Sequence, residues 1–403
     1  MTMRLRSRTA VAVLSATLLL AAPVATAHAL PTPTPTPSAP APATTTLELP
    51  RPTGPYAVGT EVLHLTDRTR TDPWTPGAGD RELMVSLHFP ARAAGGSTTA
   101  PYMSVDEARL MLAARGLDGI VPASVVGSTS THARTDARAA RGRFPLVLLS
   151  PGFGTPRATL TSLAEDLASR GYVVASVDHA YESTGTTFPG GRVLTCTACD
   201  AVEAAPDDEA EREILRKVST GRAADLSFVL DRLTGTRPAW KNSPMIDARR
   251  VAAAGHSIGG SAAASAMLAD PRFDAGVDMD GTFFEPVPRA GIGNRPFLML
   301  GTDADHHPGS LDGSWDKGWR HLDGWKRWLT VKDSGHFTFT DLPELSEQLG
   351  LPVDPAAALS GDRSTRITRD YVAAFLDQHL RDRPQPLLDG PTPGNPEVVF
   401  QQP

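Results

Sequence analysis

Gly255-His256-Ser257-Ile258-Gly259 reads G-x-S-x-G, and its flanks give the pattern meaning. Before it runs Arg250-Val251-Ala252-Ala253-Ala254, a short apolar segment fit for a strand. After it runs Gly260 to Leu268, built of small residues fit for a helix. Strand, sharp turn and helix make a nucleophile elbow with the serine at its tip. The turn is tight, so the residues two before and two after Ser257 must be small, and both are glycine. The helix N-terminus behind the serine favours negative charge that develops there.

An activated serine needs a base, and the base needs an orienting acid. In an α/β-hydrolase these follow in the order nucleophile, acid, histidine. Lys326 to Val331 reads as a late strand, and Lys332-Asp333-Ser334-Gly335-His336-Phe337 is the loop beyond it, so His336 is the candidate base. Two carboxylates suit the acid. Asp280 ends the apolar run Gly276-Val277-Asp278-Met279, and Asp303 follows the strand Phe297 to Gly301. Gly301-Thr302-Asp303 equally reads as a loop cap.

The oxyanion of such a reaction needs two backbone N–H donors. Ile258, next to the nucleophile, supplies one by position. The loop Pro151-Gly152-Phe153-Gly154 after the buried strand Phe144 to Ser150 offers Phe153 as the other. Glycine on both sides of Phe153 lets the backbone approach a ligand.

The stretches Gly255 to Gly260, Val277-Asp278-Met279-Asp280-Gly281 with Phe283 and Phe284, and Ser334-Gly335-His336-Phe337 together resemble the platelet-activating-factor acetylhydrolase family, and in particular its secreted bacterial members called lipases. The resemblance spans about Tyr56 to Leu380. It implies an α/β-hydrolase fold with a mostly parallel sheet covered by helices on both faces. It also implies a Ser257–His336–Asp280 triad, because that family carries its acid on the strand after the nucleophile helix. Related cutinase-like polyesterases carry the acid one strand later, which points to Asp303. The family's oxyanion loop usually has His-Gly where this chain has Pro151-Gly152. The expected activity is hydrolysis of short-acyl or phospholipid-type esters. Polyester or triglyceride hydrolysis is the alternative, and an idle hydrolase fold used for binding is a different class. None of these needs a metal or organic cofactor.

The first residues set the expected compartment. Arg4, Arg6 and Arg8 precede the apolar run Ala10 to Ala22, and Ala25-Thr26-Ala27 and Ala27-His28-Ala29 offer cleavage sites. This reads as a Sec-type signal peptide over 1–29, too short to span a membrane. It has neither a lipid-anchoring cysteine nor an arginine pair. A Pro-rich spacer follows over 30–50, then a catalytic domain over 51–385 and a tail over 386–403. The formal net charge of −6 argues against nucleic acid and anionic membranes as partners. A monomer acting on a small-molecule or lipid ester is expected.

Cys196 and Cys199, in an oxidising compartment, read as a disulfide. A thioredoxin-like site would need a helix beginning after Cys196, and Thr197-Ala198 gives no such signal. Along the rest of the domain, Glu61–Leu65 and Glu82–Phe89 read as early antiparallel strands, and Tyr172–Val177 as a buried one. Helices are expected over Tyr102–Leu117, Leu160–Arg170, Glu209–Leu233 with a weak point at Gly221, and Ser364–Leu380. Trp315, Trp319, Trp325 and Trp328 read as packing residues or as an acyl-binding surface near His336. His179 and Tyr181, after a strand, are candidates for the pocket wall.

Overall fold

The computed structural model describes residues 46–92, 98–352, 354 and 357–403. The signal peptide expected over 1–29 and the spacer up to residue 45 lie outside them. Strands β1 (Ala57–Thr71), β2 (Asp80–Ala91), β3 (Thr99–Pro101) and β4 (Ser130–Arg134) precede β5 (Phe144–Ser150) and β6 (Val173–His179). A small hairpin pairs β7 (Thr186–Thr187) with β8 (Val193–Leu194). Then come β9 (Ile246–His256), β10 (Ala275–Met279), β11 (Phe297–Thr302), β12 (Lys326–Val331) and β13 (Val398–Gln401).

The main sheet has the order β13-β12-β11-β10-β9-β5-β6-β2-β1-β4-β3. From β6 through β5, β9, β10 and β11 to β12 every pairing is parallel. β2 joins β6 antiparallel, and β13 joins β12 antiparallel. The helices are α1 (Val105–Ala114), α2 (Ala123–Gly127), α3 (Thr161–Ser169), α4 (Thr197–Glu203), α5 (Asp208–Thr234), α6 (Ile258–Ala269), α7 (Ser314–His321), α8 (Leu342–Leu349) and α9 (Gly361–Arg381).

The central strands are largely apolar and buried because helices cover both faces. Along β5, Leu146 and Leu148 join one core with Leu226 and Val229 of α5 and Ala263 of α6. Val147 and Leu149 point the other way, into a core with Leu163 of α3 and Ile367, Tyr371 and Phe375 of α9. The two-residue period of the strand sorts them. This is the α/β-hydrolase arrangement.

Four expectations need revision. Helix α5 runs unbroken through Gly221; before the glycine Ser219 Oγ lies 2.9 Å from Ser261 Oγ of α6, and after it Leu226 and Val229 join the core. Helix α1 starts later and ends earlier than expected, because Ser104 and Glu107 form a capping box and fix its first turn. The spacer ends sooner, since Leu47 and Leu49 bury against Tyr102 and Met111. The residues expected as a tail complete the fold: Val398 pairs with Val331 and Gln401 with Trp328 along β12. The tryptophans are packing residues. Trp315 and Trp328 are fully buried, and Trp319 packs against their core, so the acyl-surface reading is set aside. No helix among the described residues is long and apolar enough to cross a membrane.

Candidate active site

β9 delivers Ser257 to the start of α6 in a conformation rare for a non-glycine residue, φ 56° and ψ −127°. The surroundings enforce it. A Cβ on Gly255 would stand 2.3 Å from the Gly259 carbonyl carbon, and one on Gly259 would stand 2.0 Å from the Ser150 oxygen. The Ser257 amide donates to the Met279 carbonyl at 2.8 Å, tying the elbow to the end of β10. Strain held this firmly by neighbours leaves the side chain pre-placed.

His336 Nε2 lies 2.9 Å from Ser257 Oγ, and its Nδ1 lies 2.7 Å from Asp280 Oδ2. Asp280 leaves β10 at φ 62°, which turns its carboxylate across the strand ends. Its Oδ1 accepts from the Thr302 amide at 2.6 Å and from His306 Nδ1 at 2.8 Å. Burial opposes the Asp280 charge, but hydrogen bonds from His306 and His336 outweigh burial and hold the carboxyl well below the usual range. Asp303 stands elsewhere: its carboxylate accepts from the Thr330 hydroxyl at 2.6 Å. Asp278 of β10, two residues before Asp280, is fully buried, and burial pushes its carboxyl well above the usual value.

Phe153 lies in the loop after β5, and Ile258 is the first residue of α6. No backbone hydrogen bond occupies either amide among the described residues. The Phe153 loop is held from below. The Gly154 amide donates to the Glu182 carbonyl at 3.0 Å, and Arg222 Nη1 donates to the Pro151 carbonyl at 2.6 Å. Arg222 belongs to a buried ionic cluster: its Nε donates to Glu182, while Arg81 donates to Glu182, Asp225 and Asp72. His179 lies inside this cluster, bonded to Asp225 Oδ2 at 2.7 Å and facing Ser150 Oγ at 3.0 Å. It is therefore part of the scaffold under the loop and does not line a pocket. Tyr181 adopts φ 63° and packs beside Met84 and Phe188.

Cys196 and Cys199 form a disulfide. A helix does begin right after Cys196, contrary to expectation. The Cys196 sulfur accepts from the Cys199 amide, and Asp200 in the first turn complements the helix dipole. Cys199 Sγ lies 3.6 Å from where a Gly154 Cβ would be, so this staple abuts the Phe153 loop.

Sequence reasoning missed four residues that shape the site: His256, His306, Asp312 and Arg222. His256 could have been suspected from its place beside Ser257. The other three reach the site from loops and helices far away in sequence, and nothing in their local pattern marks them.

Comparison with known proteins agrees with this architecture. The family model described as platelet-activating factor acetylhydrolase, isoform II, matches residues 42–196. A probable 1-alkyl-2-acetylglycerophosphocholine esterase of Arthroderma benhamiae is 31% identical, over 87% of this chain and 93% of its own. The platelet-activating factor acetylhydrolase of Canis lupus familiaris is 25% identical over 63% of this chain and 61% of its own. Among solved structures, a ferulic acid esterase from Streptomyces cinnamoneus superposes with a TM-score of 0.78 at 45% identity, covering 88% of this chain and 99% of that one. With that fold and those relatives, the chain is a carboxylic ester hydrolase and belongs to the platelet-activating-factor acetylhydrolase-like family of α/β-hydrolases.

Proposed function

We propose that the chain is a secreted serine esterase that cleaves small esters through an acyl-enzyme. The observation that carries this reading is the hydrogen-bonded run from Ser257 Oγ through His336 to Asp280, at 2.9 and 2.7 Å. His336 takes the Ser257 proton as Oγ attacks the ester carbonyl carbon. The carbonyl oxygen becomes an oxyanion on the Phe153 and Ile258 amides. Collapse expels the alcohol, which receives its proton from His336, and leaves the acyl group on Ser257. Water, deprotonated by His336, then attacks the acyl carbon and releases the acid. Asp280 stays ionised throughout, fixes the His336 tautomer and stabilises the imidazolium. The sequence features of residues 1–29 support export.

The substrate proposed is a soluble ester with a compact acyl group. The Arthroderma relative's name points to an acetyl ester of an ether glycerophosphocholine, and the Streptomyces structure's title points to an aromatic acyl group. The second is favoured by the higher identity, 45% against 31%. The test is a panel of p-nitrophenyl esters from acetate to palmitate, methyl ferulate and a 2-acetyl glycerophosphocholine, with a fluorophosphonate to label the nucleophile. Labelling of Ser257 and falling kcat/KM beyond short acyl chains are expected. Labelling of another residue rejects the mechanism. A rate that climbs to long chains, or jumps at the micellar threshold, makes the protein a lipase.

A further inference from the structure

Asp280 carries two histidines, and the proposed mechanism uses one. His306 follows β11 and is 4% exposed. Its ring stacks on Trp315 with centroids 4.3 Å apart, and Trp328 Nε1 donates to its carbonyl at 2.6 Å. Its Nδ1 is 2.8 Å from Asp280 Oδ1. Its Nε2 is 3.3 Å from Asp312 Oδ2, an ionic approach more than an aligned hydrogen bond. Asp312 is itself pinned by the Thr282 hydroxyl at 2.7 Å and the Ser314 amide at 2.9 Å.

The charge state follows from geometry. Both ring nitrogens face carboxylate oxygens, which only accept. A neutral imidazole has one N–H and would aim a lone pair at one of them. With Nδ1 bonded to Asp280 and Nε2 3.3 Å from the Asp312 carboxylate, the doubly protonated ring is the form that suits both sides. The carboxylates around His306 agree: Asp280 approaches from the end of β10 and Asp312 from the loop before α7, while the Asp278 carboxyl, which burial pushes up, adds little charge. Burial works against the His306 charge, yet the hydrogen bond to Asp280 and the nearby Asp312 carboxylate raise its pKa to about 10.

We propose that His306, clamped as an imidazolium between Asp280 and Asp312, is a positioning residue that fixes the rotamer of Asp280 for His336 and offsets part of the negative charge that Asp280 turns towards His336. This rests on the triad reading above. One Asp280 oxygen is committed to a permanent cation, so the other presents a weaker negative field to His336. Asp312 supplies the counter-charge that keeps the clamp from making the site net positive.

The acidic limb of kcat/KM against pH reads the free enzyme's base. His306→Gln retains an amide that can donate to Asp280 but removes the positive charge. We expect its acidic limb to move up by about 0.5–1 pH unit, with kcat down about three- to tenfold and KM within about twofold. Asp312→Asn leaves the cation without its counter-charge, and its limb should move down. A residue that only packs would lower thermal stability and the active fraction while leaving both limbs in place. Titration with fluorophosphonate counts active sites in each variant. If His306→Gln does not fold, the downward limb of Asp312→Asn carries the test. Unmoved limbs, or limbs that move in the same direction, overturn the proposal. Failure of the wild-type protein to label at Ser257 overturns the triad reading instead.

Discussion

His256 Nε2 lies 2.7 Å from the backbone carbonyl of His336, so the residue before Ser257 holds the loop that carries His336. A carbonyl only accepts, so Nε2 carries the hydrogen and donates it. The two rings stand 4.8 Å apart. Burial, with the His336 charge next to it, pushes the His256 pKa down to about 3, so the ring stays neutral. His256→Leu removes this tie, leaves the carbonyl unpaired, and is expected to lower kcat by about tenfold with little change in KM. Steady-state kinetics on p-nitrophenyl acetate check it.

Stability should peak near pH 6.5 and fall on both sides. His256, and His88 at about 4, are neutral in the fold but bind protons once unfolded, so stability drops as pH falls from about 6.5 towards 4. His306 runs the other way. Its raised value of about 10 gives stability that is full below about 6.5 and is lost as pH climbs towards 10. Urea unfolding from pH 4 to 10 should trace this dome. His306→Gln should flatten its alkaline side.

Asp280→Asn should cost about 10⁴-fold in kcat, because the amide no longer enforces the His336 tautomer. Asp303→Asn should leave kcat within a few-fold, since its carboxylate serves Thr330. Reversed results would move the acid one strand along.

Two glycines should respond in opposite ways to alanine. In α5, nothing lies within 4 Å of where a Gly221 Cβ would sit, so Gly221→Ala should stabilise by about 0.5–1 kcal/mol. At Gly259 the same methyl meets the Ser150 oxygen. The elbow must shift and drag the Ile258 amide away from the oxyanion, for an expected loss of about 10²–10³ in kcat. Thermal melts on the first and kinetics on the second distinguish the two.

The parts of this architecture set by local rules were legible in the sequence. The elbow could be read because strand, glycines and small-residue helix are contiguous. The parallel sheet could be read because both-face burial makes strands such as Phe144–Ser150 uniformly apolar. Fold class was reached this way and the esterase family through the resemblance of the elbow, Asp280 and His336 stretches; Ser257, His336 and Asp280 lie within hydrogen-bonding distance as a chain. What stayed hidden depends on contacts distant in sequence. Val398 joins the sheet by pairing with Val331 of β12, far away in sequence. Gly221 looked like a breaker, but packing on both sides overrides its weak propensity. His306 and Asp312 sit in a loop without period, and their meaning comes from a carboxylate more than twenty residues away. The helix after Cys196 had little sequence signal, since a cysteine sulfur stands in for the usual capping oxygen.

The buried ionic cluster under the Phe153 loop constrains how this protein can change over time. Arg81, Arg222, Glu182 and Asp225 are each no more than 1% exposed and share partners. Losing one member strands a charge in the interior, at about 3–5 kcal/mol, whereas replacing the set together with apolar residues can be neutral. Single-step mutational paths through these positions are therefore closed, and viable ones must pass through concerted exchanges. A saturation library of single variants should be depleted at all four sites, and diverging lineages should either keep the set intact or replace it as a block.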